Sequence, residues 1–380
     1  LDLINGCKYD IRIYFLIINT KKDLLFFISD DSYCKLIEKS AFFQTTITYA
    51  PFTIAALHAV FSGTYGNHTG VNSYWSTPNF KKDKFKTLTN YLHDQDYFTY
   101  GDCINKLVIP RIGFDKLVIH DELHDDLISR HISLIDKMSE LNKQDKKFFL
   151  YLHYSNIHTG IMQEVLKKYD NFSDEYFKNK EKNEKLYDIL FNRADDYLGK
   201  IFNHFEQSEI SNDTLLVVIS DHGISIGEKF GERAYGVFCY DYTLKSTALF
   251  YHSSIPIITV QNQIRSIDIL PTILEILSIP IDENYEKFQG KSLLPIIKGN
   301  KETRIAFSQS GNPLKTGKPP KEPNVNAIRT DDWKYIKNTH DDSEELYNLK
   351  DDPNEEKNLI SIKKGKADEM RSEMNRTLNW

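Results

Sequence analysis

The sequence has few cysteines and no long hydrophobic run. Its four cysteines, Cys7, Cys34, Cys103 and Cys239, stand far apart and form no C-x-x-C pair. This spacing argues against a disulfide framework or a structural zinc knuckle, and it favours cysteines that act as small buried hydrophobic residues. The longest apolar run near the start, residues 13–18, is far shorter than the ~20 residues that span a bilayer. The sequence therefore predicts no membrane-spanning helix.

An excess of basic residues is also missing. The chain has 48 lysines and arginines against 54 aspartates and glutamates, which gives a formal net charge of −6. Nucleic-acid-binding proteins usually carry a basic face, so we expect no nucleic-acid partner. With 40% hydrophobic and 27% charged residues, the composition is typical of a soluble globular protein and not of a disordered chain.

No signal peptide is visible at the start of the sequence. A secretory signal combines a basic stretch, an apolar core and a small-residue cleavage site, and the first residues do not show this pattern. The default expectation is therefore a cytoplasmic protein. The chain begins with Leu1 and not with Met, so a signal on a longer N-terminus stays open, as does the oligomeric state.

Short apolar runs alternate with longer amphipathic segments along the chain. The apolar runs that predict buried strands are residues 24–28, 148–153, 214–220 and 246–251. Between them, residues 127–141 and 186–201 place apolar side chains at helical spacing. Buried strands alternating with amphipathic helices predict an α/β fold, with a central, mostly parallel sheet flanked by helices.

The C-terminal part of the chain has a different composition. Residues 312–324 contain four prolines and several lysines and are predicted to form an exposed loop. Two short predicted strands and a charged helix follow it. We therefore predict an α/β catalytic domain over residues 24–302, a small α+β subdomain over residues 303–380, and an N-terminal extension over residues 1–23.

Two of the predicted strands end in groups that bind metals. Asp30 and Asp31 end the first strand, and Asp221 and His222 follow the third, with Gly223 allowing a sharp exit. Ligands of α/β sheets gather at the carboxyl ends of the strands, where adjacent carboxylates and an imidazole are suited to hold a cation. Taken singly, each pair is also compatible with a solvated turn.

Thr53 stands at the start of a predicted helix. Pro51 favours an extended approach, and an Ala-rich apolar segment follows up to Gly63. A hydroxyl at or near the helix N-cap lies in the positive end of the helix dipole, which favours an alkoxide and an incoming oxyanion. The alternative is a threonine that only caps the helix.

His158 and Lys245 are further candidates for the site. His158 follows the second predicted strand, and Lys245 directly precedes the fourth. Either side chain would bind an anion or protonate a leaving group, although a loop histidine or lysine taken alone is usually a surface residue.

Together these segments resemble the sulfatase branch of the alkaline phosphatase superfamily over roughly residues 24–360. The segments that match family motifs, in chain order, are residues 53–63, 148–158, 220–223, 267–272, 290–295, 329–335, 345–349 and 352–358. Among them are an S-D-H-G, a D-x-x-P-T and a G-x-S-L-x-P motif. The resemblance rests on their common order and spacing. It implies a central mixed sheet flanked by helices and a small C-terminal subdomain.

The resemblance also implies a mechanism. One divalent metal ion would be held by Asp30, Asp31 or both, by Asp221 and by His222, and it would contact the Thr53 oxygen. Calcium or zinc suits these ligands best, with manganese or magnesium as alternatives. Thr53 would attack sulfur or phosphorus and expel an alcohol, and water would then free the enzyme.

The family pattern is not fully kept. Sulfatases usually convert a Cys or Ser to formylglycine at the position of Thr53, a route closed to threonine, so no formylglycine is expected. The chain therefore uses an unmodified hydroxyl or is inactive.

His58 lies near the place of the family's arginine, shifted by one, and is taken as a catalytic candidate beside His158 and Lys245. Residues 100–103 lack the family's G-K-x-H motif.

Three functions remain from the sequence. The first is a metal-dependent hydrolase that acts on a sulfate ester, or a similar phosphate ester, of a small molecule, glycan or lipid headgroup. The second is a phosphodiesterase or phosphotransferase that uses the same threonine. The third is an inactive protein that binds an anionic glycan.

Overall fold

The computed structural model describes residues 12–18, 32–169, 174–232, 234–314 and 318–379. The strands in these ranges are β1 Arg12–Ile18, β2 Ala41–Ile47, β3 Phe98–Cys103, β4 Lys116–Ile119, β5 Phe148–Tyr154, β6 Thr214–Ile219, β7 Lys245–Tyr251, β8 Ile258–Val260, β9 Ile264–Arg265, β10 Ala306–Ser310, β11 Val325–Arg329, β12 Trp333–Asn338 and β13 Glu344–Asn348. The helices are α1 Ser32–Ile37, α2 Thr53–Ser62, α3 Gly66–Thr69, α4 Leu88–His93, α5 Leu127–Lys143, α6 Asn156–Gly160, α7 Glu175–Lys178, α8 Lys180–Gln207, α9 Asp241–Leu244, α10 Ile269–Ile276, α11 Leu294–Ile297 and α12 Lys364–Leu378.

Nine of the strands form one central sheet. Its order is β4-β3-β5-β1-β6-β7-β2-β8, with β9 also paired to β2. Strand β7 runs antiparallel to both β6 and β2, and the other pairs are parallel. The sheet is therefore mixed and mostly parallel, which confirms the predicted fold class.

Helices cover both faces of this sheet. Along β6, Leu215 and Val217 pack in one apolar cluster with α2, α4 and α10, whereas Leu216 and Val218 pack in a second cluster with α5 and α8. Successive side chains of a strand point to opposite faces, so a strand covered on both sides must be apolar throughout. This is why the continuous apolar runs of the sequence mark the central strands.

The predicted strands agree with the structure where it describes them. The runs at 148–153, 214–220 and 246–251 correspond to β5, β6 and β7. The predicted strand 24–28 lies outside the described residues. The sheet contains β1, paired between β5 and β6, and this strand lies within residues 1–23, which the sequence predicts to be an N-terminal extension.

The remaining four strands form a second sheet near the C-terminus. Strands β10 to β13 are antiparallel and neighbours in chain order. Helix α12 places Ala367, Met370 and Met374 in one buried cluster with Ile328 and Tyr335 of this sheet. Among the helices in the described ranges, none combines the length and the apolar character that a membrane span needs.

Candidate active site

The turn after β6 carries Asp221 and His222. The Ser220 hydroxyl donates to the carbonyl of His222 at 2.9 Å, and the Gly223 amide donates to the carbonyl of Thr243 at 2.8 Å. A Cβ atom on Gly223 would lie 2.3 Å from the carbonyl oxygen of Tyr242. Glycine is needed here because two backbone segments approach closely, and this approach holds both site residues at the strand end.

Thr53 is the first residue of α2. Phe52 precedes it in extended conformation as the N-cap, and Gly63 ends the helix in the left-handed region, with φ of 63°. The helix is buried along almost its whole length, as its apolar composition requires. Because Phe52 occupies the N-cap position, Thr53 is not the capping residue, and its Oγ1 lies 3.4 Å from Nε2 of His222.

The hydrogen bonds of His222 leave one ring nitrogen facing the site. Its Nδ1 lies 2.7 Å from the carbonyl oxygen of Gly223, and a carbonyl only accepts, so Nδ1 carries the proton. Nε2 then presents a lone pair toward Thr53. A backbone partner of this kind orients histidine ligands in metal sites.

Asp221 presents a buried oxygen to the same point. Its Oδ1 accepts from the amide of His222 at 3.0 Å, while Oδ2 lies 3.6 Å from Nε2 of His222. Within the described ranges, Oδ2 has no hydrogen-bond partner although it is buried. A buried carboxylate oxygen without a partner is costly, and a cation bound beside the imidazole would satisfy it. Asp221 and His222 therefore fit a divalent metal, whereas Asp30 and Asp31 lie outside the described residues.

His158 reaches this site through Tyr235. His158 lies in α6, and its Nδ1 is 3.0 Å from the hydroxyl of Tyr235, whose ring centre lies 4.9 Å from that of His222. Burial lowers the pKa of His158 and raises the pKa of Tyr235, so the imidazole is neutral and the phenol keeps its proton near neutral pH. The sequence does not single out Tyr235, whose only signal is an aromatic residue between the S-D-H-G motif and Lys245.

Lys245 and His58 are placed differently. Lys245 begins β7 and pairs with Ile47, the last residue of β2. Lys245 therefore lies at the carboxyl end of β2, the end that leads into α2. His58 is buried in α2, where its Nδ1 donates to the carbonyl of Ile54 at 2.8 Å and its ring meets Phe80 edge-on. Burial lowers the pKa of His58 to about 4, so it is neutral. Catalytic roles for both residues stay predictions.

The fold and the site together define an α/β protein with a hydroxyl, a carboxylate and an imidazole gathered beyond its strand ends. The family model described as Sulfatase matches residues 34–279, and the model described as N-sulphoglucosamine sulphohydrolase, C-terminal, matches residues 237–379. The chain belongs to the sulfatase family. Sulfatases are generally dependent on a divalent metal, in agreement with the donor atoms at this site.

Curated relatives match part of the chain. A choline-sulfatase of Rhizobium meliloti is 24% identical over 206 residues, which cover 53% of this chain and 37% of the relative. The human arylsulfatase K is 29% identical, with 46% and 33% covered, and an N-acetylglucosamine-6-O-sulfatase of Bacteroides thetaiotaomicron is 27% identical, with 46% and 31% covered. The chain spans about a third of the length of the curated relatives that it matches.

Solved structures share the whole fold at low identity. A putative sulfatase from Bacteroides thetaiotaomicron superposes with a TM-score of 0.76 at 16% identity, covering 98% of this chain and 92% of the other. A structure solved in complex with its substrate D-glucosamine-2-N,6-O-disulfate gives 0.73 at 15% identity, with 98% of both chains covered. The phosphonate monoester hydrolase of Agrobacterium radiobacter gives 0.69 at 14% identity, with 97% and 95% covered.

Proposed function

We propose that this chain hydrolyses a sulfate ester, or a chemically similar phosphate ester, of a sugar or lipid headgroup, with Thr53 as the nucleophile. The observation that carries the proposal is the position of Thr53 Oγ1, 3.4 Å from Nε2 of His222 and beside Oδ2 of Asp221, which has no hydrogen-bond partner among the described residues. Membership of the sulfatase family supports the reaction class. The sugar and choline sulfatases among the relatives support the kind of substrate.

One divalent cation belongs to this proposal. Asp221 and His222 would hold it together with Asp30, Asp31 or both, and calcium or zinc suits these ligands best, with manganese or magnesium as alternatives. When bound, the cation would lower the pKa of the Thr53 hydroxyl and neutralise the nonbridging oxygens of the ester.

The residues of the chain carry out two bond changes. Thr53 loses its hydroxyl proton to solvent and forms an Oγ1–S or Oγ1–P bond as the bond to the ester oxygen breaks. That oxygen leaves as an alcohol after taking a proton from Lys245, and the neutral imidazole of His158 would hold the ester oxygens. Water then cleaves the threonine ester and releases sulfate or phosphate. Thr53 lies at the N-terminus of α2, where the helix dipole favours the negative charge that develops.

The residue type at position 53 also supports a second function. An unmodified threonine transfers a phosphoryl group by the same attack, so a phosphodiesterase or phosphotransferase is the alternative enzyme. An inactive protein that binds an anionic glycan is the non-enzymatic alternative, in agreement with the missing G-K-x-H motif at residues 100–103.

The test compares three chromogenic substrates, a sulfate ester, a phosphate monoester and a phosphate diester, in the presence of each candidate metal. We expect metal-dependent turnover of at least one substrate, loss of that turnover in Thr53→Ala, and partial retention in Thr53→Ser because the hydroxyl remains. Thr259→Ala, an exposed threonine on β8, serves as the control and should match the parent chain.

Each result decides between the functions. Preference for the sulfate ester supports the sulfatase, and preference for a phosphate ester supports the alternative enzyme. Full activity in Thr53→Ala would overturn the assignment of the nucleophile. No turnover of any substrate, together with tight binding of sulfated glycans, would favour the inactive binding protein.

A further inference from the structure

A second cluster of metal-binding side chains lies at the opposite half of the central sheet. Asp102 is in β3, His120 directly follows β4, and His131 is in α5. The three side chains are fully buried, or nearly so, and offer ligand atoms that all lie within 4.8 Å of one another. Strands β3 and β4 are parallel neighbours, so their carboxyl ends bring Asp102 and His120 to the same edge.

We propose that Asp102, His120 and His131 form a binding site for a divalent transition-metal ion of the zinc class, separate from the site at Thr53. Two imidazoles and one carboxylate are a common ligand set for zinc. Oδ1 of Asp102 lies 3.2 Å from Nδ1 of His120, and Oδ2 lies 3.4 Å from Nε2 of His131. A tetrahedral zinc ion with bonds of ~2.1 Å separates its ligand atoms by roughly 3.3 Å.

The second nitrogen of each imidazole is held by a hydroxyl. Nε2 of His120 lies 2.9 Å from the Ser155 hydroxyl, and Nδ1 of His131 lies 2.6 Å from the Tyr197 hydroxyl. If these nitrogens donate their protons to the hydroxyl oxygens, the facing nitrogens both carry lone pairs toward Asp102. Such outer partners orient histidine ligands in metal sites.

An unsatisfied atom inside the cluster points to a missing ligand. Nε2 of His131 has no hydrogen-bond partner within the described part of the chain, although the side chain is fully buried. Its contact with Asp102 at 3.4 Å lacks the geometry of a hydrogen bond. A cation between the two residues would satisfy this nitrogen.

The charge around the cluster also accommodates a cation. Arg130 contacts both Asp102 and Asp125, so two carboxylates and one guanidinium leave one net negative charge beside the two imidazoles.

A polar cavity lies beside the cluster. It has a volume of about 440 Å³, and its walls include Asp125, Asp126, Asp196, Arg193 and Tyr197. Tyr197 belongs both to this cavity and to the cluster, through its hydrogen bond with His131.

The test measures metal content in full-length protein whose first site is disabled. Asp221→Asn/His222→Gln is stripped with a chelator, dialysed against Zn²⁺ and analysed for bound zinc. We expect about one equivalent to remain, and its loss when His131→Gln or His120→Gln is added. His204→Asn, which removes a histidine from an exposed pair with Asp136, is the matched control and should leave the zinc content unchanged.

A spectroscopic measurement keeps the test decisive if the histidine variants fail to fold. X-ray absorption of zinc in Asp221→Asn/His222→Gln should show two imidazole ligands. Two results would each overturn the proposal. One is a protein that binds no zinc after the first site is disabled, which would leave a buried ion cluster only. The other is an absorption spectrum without imidazole. Neither result bears on Thr53, because the ester hydrolysis assay is independent of it.

Discussion

At the scale of single residues, the site depends on which atoms lack an ordinary partner. The Oδ2 atom of Asp221 is buried without a hydrogen bond in the described ranges, and His222 directs its proton to the backbone of Gly223. Both features expose acceptor atoms at one point beside Thr53. Buried acceptor atoms without a donor cost stability, and a bound cation or a nearby hydroxyl proton would offset this cost.

Removing the hydroxyl of Tyr235 should slow the reaction without unfolding the protein. In Tyr235→Phe, His158 loses the hydrogen bond at 3.0 Å that orients its ring. The expected loss in kcat is about fivefold, since one hydrogen bond contributes ~1 kcal/mol. Tyr169→Phe, which removes a buried hydroxyl bonded to Asn183, is the control for stability and should keep its rate. Equal rates for Tyr235→Phe and the parent chain would show that His158 does not depend on Tyr235.

Glu232 should make the stability of the protein fall as pH rises. Burial raises the pKa of Glu232 to about 7, so between pH 4.5 and 7 the unfolded chain releases a proton that the folded chain retains. The unfolding free energy therefore decreases over this window, by up to about 3 kcal/mol. Glu232→Gln cannot ionise and should flatten this slope in urea unfolding measured at several pH values. An unchanged slope in the variant would assign the pH dependence to other groups.

At the scale of elements, the strands that the sequence predicts best are those covered on both faces. Strands β5 and β6 are buried at every position, so each appears as an unbroken apolar run. The N-terminal region contains two such runs, residues 13–18 and 24–28; the first forms most of β1, and the second lies outside the described residues. Because apolar character alone does not tell how a strand is directed, the sequence did not indicate that β7 runs antiparallel.

The turn after β6 depends on the close approach of two segments at Gly223. In Gly223→Ala, the added Cβ would meet the carbonyl of Tyr242 at 2.3 Å, and the backbone that carries Asp221 and His222 must move. A displacement of this kind at a catalytic group costs on the order of 100-fold in rate. We expect such a loss in steady-state assays, with thermal unfolding monitored in parallel.

The control for Gly223→Ala is a glycine-to-alanine substitution at a position where the added Cβ meets no other atom. Gly365 lies in α12, and a Cβ there meets nothing within 4 Å. Gly365→Ala should leave the rate unchanged and raise stability by about 0.5–1 kcal/mol, because alanine favours the helix. Retention of full activity in Gly223→Ala would contradict the role given to the turn.

At the scale of the whole molecule, a buried ion cluster joins the C-terminal sheet to the central domain. Lys334 of β12 contacts Asp241 at 2.8 Å and Glu355 at 2.9 Å, and Arg329 of β11 contacts Asp241 at 2.8 Å. All four side chains are buried. Asp241 begins α9, directly before β7, so the cluster ties the second sheet to the edge of the first that carries Lys245.

Breaking this cluster should destabilise the protein strongly. Lys334→Met leaves the carboxylates of Asp241 and Glu355 buried with less compensation, which typically costs about 3–5 kcal/mol. The comparison is Lys200→Met, whose exposed pair with Asp196 should contribute less than about 1 kcal/mol. Urea unfolding of both variants measures the difference. Equal losses would mean that the buried cluster contributes no more than a surface ion pair.

The sequence by itself determined the α/β class, the strand end that carries Asp221 and His222, and the start of α2 at Thr53. These features follow from local apolar periodicity and from residue types, and both can be read from the sequence without knowing the fold. The family resemblance predicted that Thr53 and His222, 169 residues apart, meet at one site. Only the tertiary structure brought Tyr235 beside His158, 77 residues away. Such contacts depend on which strands pair and how they are directed, and local periodicity does not encode strand pairing.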